Sequence, residues 1–193
     1  MVAKFLSKIF FIYEELNRPI SSVLKKGVFL MNIYEEMGIP LNDLTGLSEY
    51  NTVPTLSILA RTLYSEASTE SDTGKVAICY VAQNRVKTGR EFGSDMTSVL
   101  LNVNNRFDGL FTENARRPTV SSQAWIDSCD IARQFTLSPN PIGGCLWYNT
   151  EEVFTQKSYS YGGYVYYRFK ERNARIVEQK QIGKHIFFRV DGY

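Results

Sequence analysis

The chain has 193 residues, 44% hydrophobic and 22% charged, with a formal net charge of +2 and one histidine. This is globular composition, with room for one domain and an extension or at most two small domains. It excludes a strongly basic nucleic-acid surface, because the densest basic spot, Arg168, Lys170, Arg172 and Arg175, is broken by Glu171 and reads as a solvated face.

At the N-terminus the apolar run over residues 9–13 meets Glu14 and Glu15 at once and is too short for a signal-peptide core. The run over residues 27–34 is too short to span a bilayer, so no membrane span is expected. Residues 1–52 are expected to form a helical extension, with amphipathic helices over 5–17 and 21–37 punctuated by Pro19, Gly38 and Pro40. The extension either packs on the main domain or binds a partner, and both readings stay open. Residues 53–193 are expected to form the main domain.

Leu56, Leu59, Ala60, Leu63 and Ala67 recur at i, i+3, i+4, i+7 and i+11, one apolar stripe of a helix starting at Thr52 or Thr55 beside Pro54. Its end is expected in residues 68–72, all poor helix-interior residues, with Ser71, Asp72 or Thr73 capping the next helix. That helix, over 74–87, is apolar nearly all round and reads as a core helix that Gly89 stops. Met96, Val99, Leu100 and Val103 predict a third short helix, and residues 104–109 a polar loop. Ser121 is expected to cap a fourth helix carrying Trp125, Cys129, Ala132 and Phe135. The pattern then turns β-like over 145–149, 164–169, 174–182 and 185–190, punctuated by Gly143-Gly144, Gly162-Gly163 and Gly183-Lys184. Helices first and a small antiparallel sheet after make an α+β chain.

Two glutamates, Glu66 and Glu70, fall in the polar break between the first two main-domain helices. Projected on a helix, Glu66 lies roughly 80° from the stripe centre, at the edge of the buried face. A carboxylic acid at such an edge loses water, which disfavours its charged form. An acid of that kind holds a proton near neutral pH and delivers it to a leaving oxygen, as glycosidic cleavage requires. The competing reading is that acidic residues between helices solvate a loop and favour the following N-terminus, and capping accounts well for Glu70 and Asp72. Gly74-Lys75 is not a phosphate-binding loop, since Val76 stands where a hydroxyl is needed. Cys79, Cys129 and Cys145 read as buried free thiols without a zinc pattern, and His185 as a structural histidine on a strand. No metal or cofactor is expected. Twelve Tyr and twelve Phe are many for this length, and surplus tyrosines suit a carbohydrate-facing groove as well as a core.

The segment LARTLYSEASTESDTGKVAICYVAQNRVKTG, residues 59–89, resembles the opening motif of the SleB/CwlJ-type cell-wall hydrolases, the spore-cortex-lytic family. Further pieces resemble that family in the same order. These are Phe107 in a loop, Ala124-Trp125 and Ala132 in a helix, GGCLWYNTEE over 143–152 and IGKHIFFR over 182–189. The resemblance spans about residues 56–189. It departs at Ser65, where the family has Gly, at Ser68-Thr69 in place of Arg-Gly, and at Arg106-Phe107-Asp108 in place of Gln-Phe-Ser.

The resemblance implies a lysozyme-like, mainly helical catalytic domain followed by a small C-terminal antiparallel sheet. It implies peptidoglycan as partner and substrate, and one essential glutamate, matching Glu66. In the implied lytic transglycosylase mechanism Glu66 protonates the oxygen between MurNAc and GlcNAc, then takes the proton of the MurNAc 6-hydroxyl as a 1,6-anhydro ring closes. Plain hydrolysis, with Glu70 or Asp72 orienting a water, is the alternative. Tyr64, Glu70, Phe107, Tyr148 and Asn149 are the substrate-binding candidates, with core packing or turn formation open for Tyr64, Phe107, Tyr148 and Asn149. A chain without its own export signal suits a bacteriophage lysis enzyme or a virion-carried wall hydrolase, made in the cytoplasm and acting on the wall after release, with residues 1–52 as the assembly part. The contrasting reading is a noncatalytic wall-binding or virion structural module on the same scaffold.

Overall fold

The computed structural model describes residues 33–42, 46–105 and 107–193. The chain divides into two compact units, Met1–Glu36 and Met37–Tyr193. The helix expected over 5–17 lies outside the described residues, as does most of the one expected over 21–37, of which residues 33–37 are helical.

In the second unit the helices α1 (Thr55–Ala67), α2 (Asp72–Thr88), α3 (Met96–Leu100), α4 (Glu113–Arg116) and α5 (Gln123–Gln134) come first. Strand β1 (Trp147–Thr150) and helix α6 (Glu151–Lys157) follow, then β2 (Ser158–Tyr161), β3 (Tyr164–Arg168), β4 (Asn173–Ile182) and β5 (His185–Val190). All strand pairs are antiparallel, in the order β1-β5-β4-β3-β2, so the α+β reading holds and β1 and β2 are the sheet edges.

α1 packs against α5, α4, α2, α3 and the 3₁₀ turn Asp108–Phe111, which makes it the central helix. Its expected stripe is buried at Leu59, Ala60, Leu63 and Ala67, but Leu56 is 39% exposed. Ser57, Arg61 and Thr62 are buried instead. A helix surrounded on several sides buries polar positions wherever their side chains find partners. Arg61 shows how: its guanidinium donates to the carbonyls of Met37 (2.9 Å), Ile39 (2.7 Å), Ala115 (2.7 Å) and Arg116 (3.2 Å). One side chain thereby ties residues 37–39 and α4 to the central helix.

α2 starts where expected, with the Ser71 hydroxyl accepting from Gly74 N–H at 3.3 Å, and stops before Gly89. α5 is capped by Ser122 rather than Ser121, the Ser122 hydroxyl accepting from Trp125 N–H. α3 ends at Leu100, so Val103 is not part of it and is 66% exposed. The breaker is Asn102, whose Nδ2 donates to the Glu91 and Phe92 carbonyls and whose Oδ1 accepts from Asn104 and Asn105 N–H. A side chain that satisfies backbone groups in this way competes with continuing the helix. Strand β2 and helices α4 and α6 were not foreseen. The signal for β2 is the alternation Ser158, Tyr159, Ser160, Tyr161 ahead of Gly162-Gly163.

The end of α2 positions the sheet. Asn84 Nδ2 donates to the Gly143 and Cys145 carbonyls, at 2.8 and 3.0 Å, and Arg85 Nε to the Leu146 carbonyl at 2.8 Å. These bonds deliver the chain into β1. There Trp147 pairs with Phe188 and Tyr148 with Phe187, so successive residues face opposite sides. Trp147 joins a core of Phe154, Tyr167, Ile186, Phe188 and Val190, while the Tyr148 ring lies against Phe187 and His185. The three thiols are free and buried, as expected. Burial pushes Cys129 and Cys145 up to about 12 and raises Cys79 as well, which leaves no reactive thiolate near neutral pH.

Candidate active site

Glu66 sits in the last turn of α1, half-buried, on the wall of a cleft of about 1090 Å³. Its Oε1 accepts the Gly109 N–H at 2.5 Å and its Oε2 accepts the Tyr148 hydroxyl at 3.0 Å. Two donors from separate elements fix the plane of the carboxylate and leave each oxygen a further lone pair for a substrate. Gly109 is required by close approach: a Cβ there would stand 2.9 Å from Glu66 Oε1 and overlap the Ser65 hydroxyl.

Tyr148 is a hydrogen-bond donor by circumstance as well as chemistry. Burial, then the neighbouring Glu66 charge, raise its pKa well above the ordinary phenol value, so it stays protonated. Beneath it the Arg85 guanidinium is enclosed, with its centre 5.0 Å from the Phe107 ring and 5.3 Å from the Phe92 ring. Its Nη1 donates to the Asn105 carbonyl at 2.7 Å. Burial lowers the Arg85 pKa to about 10, against the opposing pull of Tyr148 and Glu66, so it remains a cation at neutral pH. A fixed positive charge therefore stands behind the carboxylate and its donor.

The structure brings Glu66, Phe107, Tyr148 and Asn149 together on the cleft lining. Phe107 is only 2% exposed and supports the floor, with its ring tilted against Tyr148 at 6.3 Å. Asn149, on the other side of β1, donates from Nδ2 to the Tyr167 hydroxyl at 2.8 Å. Tyr64 does not line the cleft; its ring meets Trp125 edge-on at 5.6 Å. Glu70 does not line it either. Its carboxylate is buried against the β4–β5 turn, with Oε1 3.6 Å from His185 Nδ1. Among the described residues neither of those two atoms has a hydrogen-bond partner. The expectation that Glu70 solvates a loop or caps a helix is thus corrected: Ser71 does the capping, and Glu70 turns inward because glycines at 74 and 183 leave it room. Asp72 is 83% exposed at the start of α2 and is also outside the lining.

Arg85, Asp108 and Gly109 contribute to the site without having been singled out for it. Asp108 lines the cleft beside Glu66. For Arg85 the available signal is a cation at the end of an otherwise apolar core helix. For Asp108-Gly109 it is a tight Asp-Gly step following an aromatic in a polar loop.

A helical layer followed by an antiparallel sheet, with a carboxylate oriented at the wall of an aromatic-lined cleft, suits a hydrolase of an extended polymer. The family model described as Cell Wall Hydrolase matches residues 69–188, and the chain belongs to that family, of the SleB/CwlJ type. Peptidoglycan is accordingly its substrate class. The matched span takes in Glu70, Phe107, Tyr148, Asn149 and His185, and begins three residues after Glu66. No curated protein and no solved structure matches the chain. Among the described residues no helix is long and apolar enough to cross a membrane.

Proposed function

We propose that this protein cleaves the glycan strand of peptidoglycan between MurNAc and GlcNAc with Glu66 as its single catalytic acid and base. The observation that carries the reading is the carboxylate held at the cleft wall by Gly109 N–H and the Tyr148 hydroxyl. Protonated Glu66 gives its proton to the bridging oxygen, and the C1–O bond of MurNAc breaks as GlcNAc leaves. Ionised Glu66 then accepts the proton of the MurNAc 6-hydroxyl. That oxygen attacks C1 and closes a 1,6-anhydro ring, so one carboxylate is an acid and then a base. The Arg85 cation and the Tyr148 hydroxyl stabilise the carboxylate that forms as Glu66 gives up its proton.

Hydrolysis is the second reading, and Asp108 on the cleft lining favours it. A carboxylate there can orient a water towards C1, which Glu70 and Asp72 cannot do from outside the lining. The products separate the two readings. Sacculi digested by the protein yield anhydro-muropeptides if the 6-hydroxyl attacks, and reducing ends if water does, as read by mass spectrometry. Glu66→Gln abolishes release in either case.

The setting in which we place the activity is phage lysis or wall penetration, as a free enzyme or carried on a particle. This setting predicts that expression in a bacterial cytoplasm is tolerated until the inner membrane is permeabilised, and that lysis then follows. Lysis without permeabilisation contradicts it.

A further inference from the structure

The β2–β3 hairpin carries a second aromatic surface that the cleft does not use. Its register pairs Tyr159 with Tyr166 and Tyr161 with Tyr164, so four tyrosines share one face of two adjacent strands. Tyr167, the residue after Tyr166, points to the opposite face and into the core. Tyr161 is 74% exposed and Tyr164 53%, while Tyr159 and Tyr166 stack at 5.5 Å with their planes 20° apart. Arg168 lies over the Tyr159 ring at 4.4 Å and Arg175 over the Tyr164 ring at 5.0 Å. A groove of about 600 Å³ runs beside them, lined by Tyr164, Tyr166, Arg172, Arg175 and Asp191 among others.

We propose that this tyrosine face and groove form a second peptidoglycan-binding subsite, which takes a stretch of glycan strand bearing acidic stem peptides away from the bond that is cut. Three observations point to that occupant. The exposed rings are all tyrosines, whose flat apolar faces suit the C–H face of a pyranose and whose hydroxyls suit its polar edge; an aliphatic patch would suit another protein better. Two arginines, Arg172 and Arg175, line the groove against Asp191, which pairs with Arg175 at 2.8 Å; the Arg172 charge, with Arg168 close by over Tyr159, leaves a positive balance that complements peptide carboxylates. The surface is also continuous with the cleft. Arg168 lines the cleft and covers Tyr159, and Arg172 lines the groove and lies 5.4 Å from Phe169 on the cleft lining. A polymer seated at Glu66 can thus run onto the hairpin, and two linked contacts hold it more tightly than one.

The inference rests on the peptidoglycan-cleaving reading above. Its test uses the full chain with Tyr161→Ser and Tyr164→Ser together. Both side chains are more than half exposed, and an unchanged thermal melt confirms the fold. Binding to purified sacculi is measured by co-sedimentation in a Glu66→Gln background, and cleavage in the otherwise unaltered chain. The expected result is about tenfold weaker sacculus binding and slower release from sacculi, with unchanged cleavage of short soluble glycan fragments that fill only the cleft. Unchanged sacculus affinity overturns the proposal. So does a wild-type dimer in light scattering that the double variant dissolves, because a second copy would then be the occupant. If the wild type cleaves nothing yet the double variant still binds sacculi more weakly, the cleavage reading fails and the subsite stands.

Discussion

Glu66 reaches its position by being one residue from the end of α1, where the side chain leaves the helical core but not the protein. Its two donors come from distant parts of the chain, one from the Asp108–Phe111 turn and one from β1. Tyr148→Phe removes one donor while keeping the ring that packs on Phe187. The expected outcome is about a tenfold fall in kcat on sacculi with a thermal melt within a few degrees of wild type, the size of one charge-assisted hydrogen bond. Unchanged kcat means that Tyr148 does not orient the carboxylate. At this scale the place of Glu66 at the edge of a buried face was readable from helical periodicity, since a stripe and its edge are properties of local sequence, whereas its catalytic role was expected from the resemblance. Tyr148 and Asn149 were marked only by resemblance. Glu70 was misread because nothing local announces that a turn more than one hundred residues later leaves room for it.

Among the elements, the β4–β5 turn and the start of α2 are coupled through Glu70. Gly183 has φ +57°, and a Cβ there would overlap Glu70 Oε2. Gly183→Ala is expected to cost about 2 kcal/mol or more, from the left-handed backbone and the displaced carboxylate together, read as a fall in the denaturation midpoint. Adding Glu70→Ala should recover part of that loss, because the overlap is gone and only the backbone strain remains. Strictly additive effects would mean that the two sites do not touch. The helices with long apolar patterns, α1, α2 and α5, were legible to within a residue or two at most of their ends. Strands β4 and β5 were legible from alternation and glycine punctuation. The misses, α4, α6, β2 and the end of α3, are short elements fixed by caps and side-chain bonds. Asn102 stops α3 through contacts that no periodicity records.

For the whole molecule, Met37–Tyr193 forms one compact unit, and residues 37–42 and 46–52 are part of it. Arg61 holds the Met37 and Ile39 carbonyls, and Tyr50, fully buried, donates its hydroxyl to the Leu110 carbonyl at 2.9 Å. A chain beginning at Met37 is expected to unfold cooperatively and to digest sacculi. One beginning at Val53 takes both carbonyl acceptors from Arg61 Nη2 and empties the Tyr50 site, and is expected to be destabilised by about 3 kcal/mol or more or to be insoluble. Equal stability of the two truncations, measured by denaturant titration, would show that residues 37–52 are dispensable. The class of fold and the family were legible because the motifs lie in order along the chain. The joining of residues 37–52 to the domain was not, because it rests on buried polar contacts between segments far apart in sequence.

The central claim is that Glu66 breaks the glycan strand. Its most direct test is mass spectrometry of the soluble products released from purified sacculi by wild type and by Glu66→Gln, with folding of both confirmed by thermal melt. The account predicts anhydro-muropeptides from wild type and no release by the variant. Release by Glu66→Gln at the wild-type rate, with the same products, would contradict it.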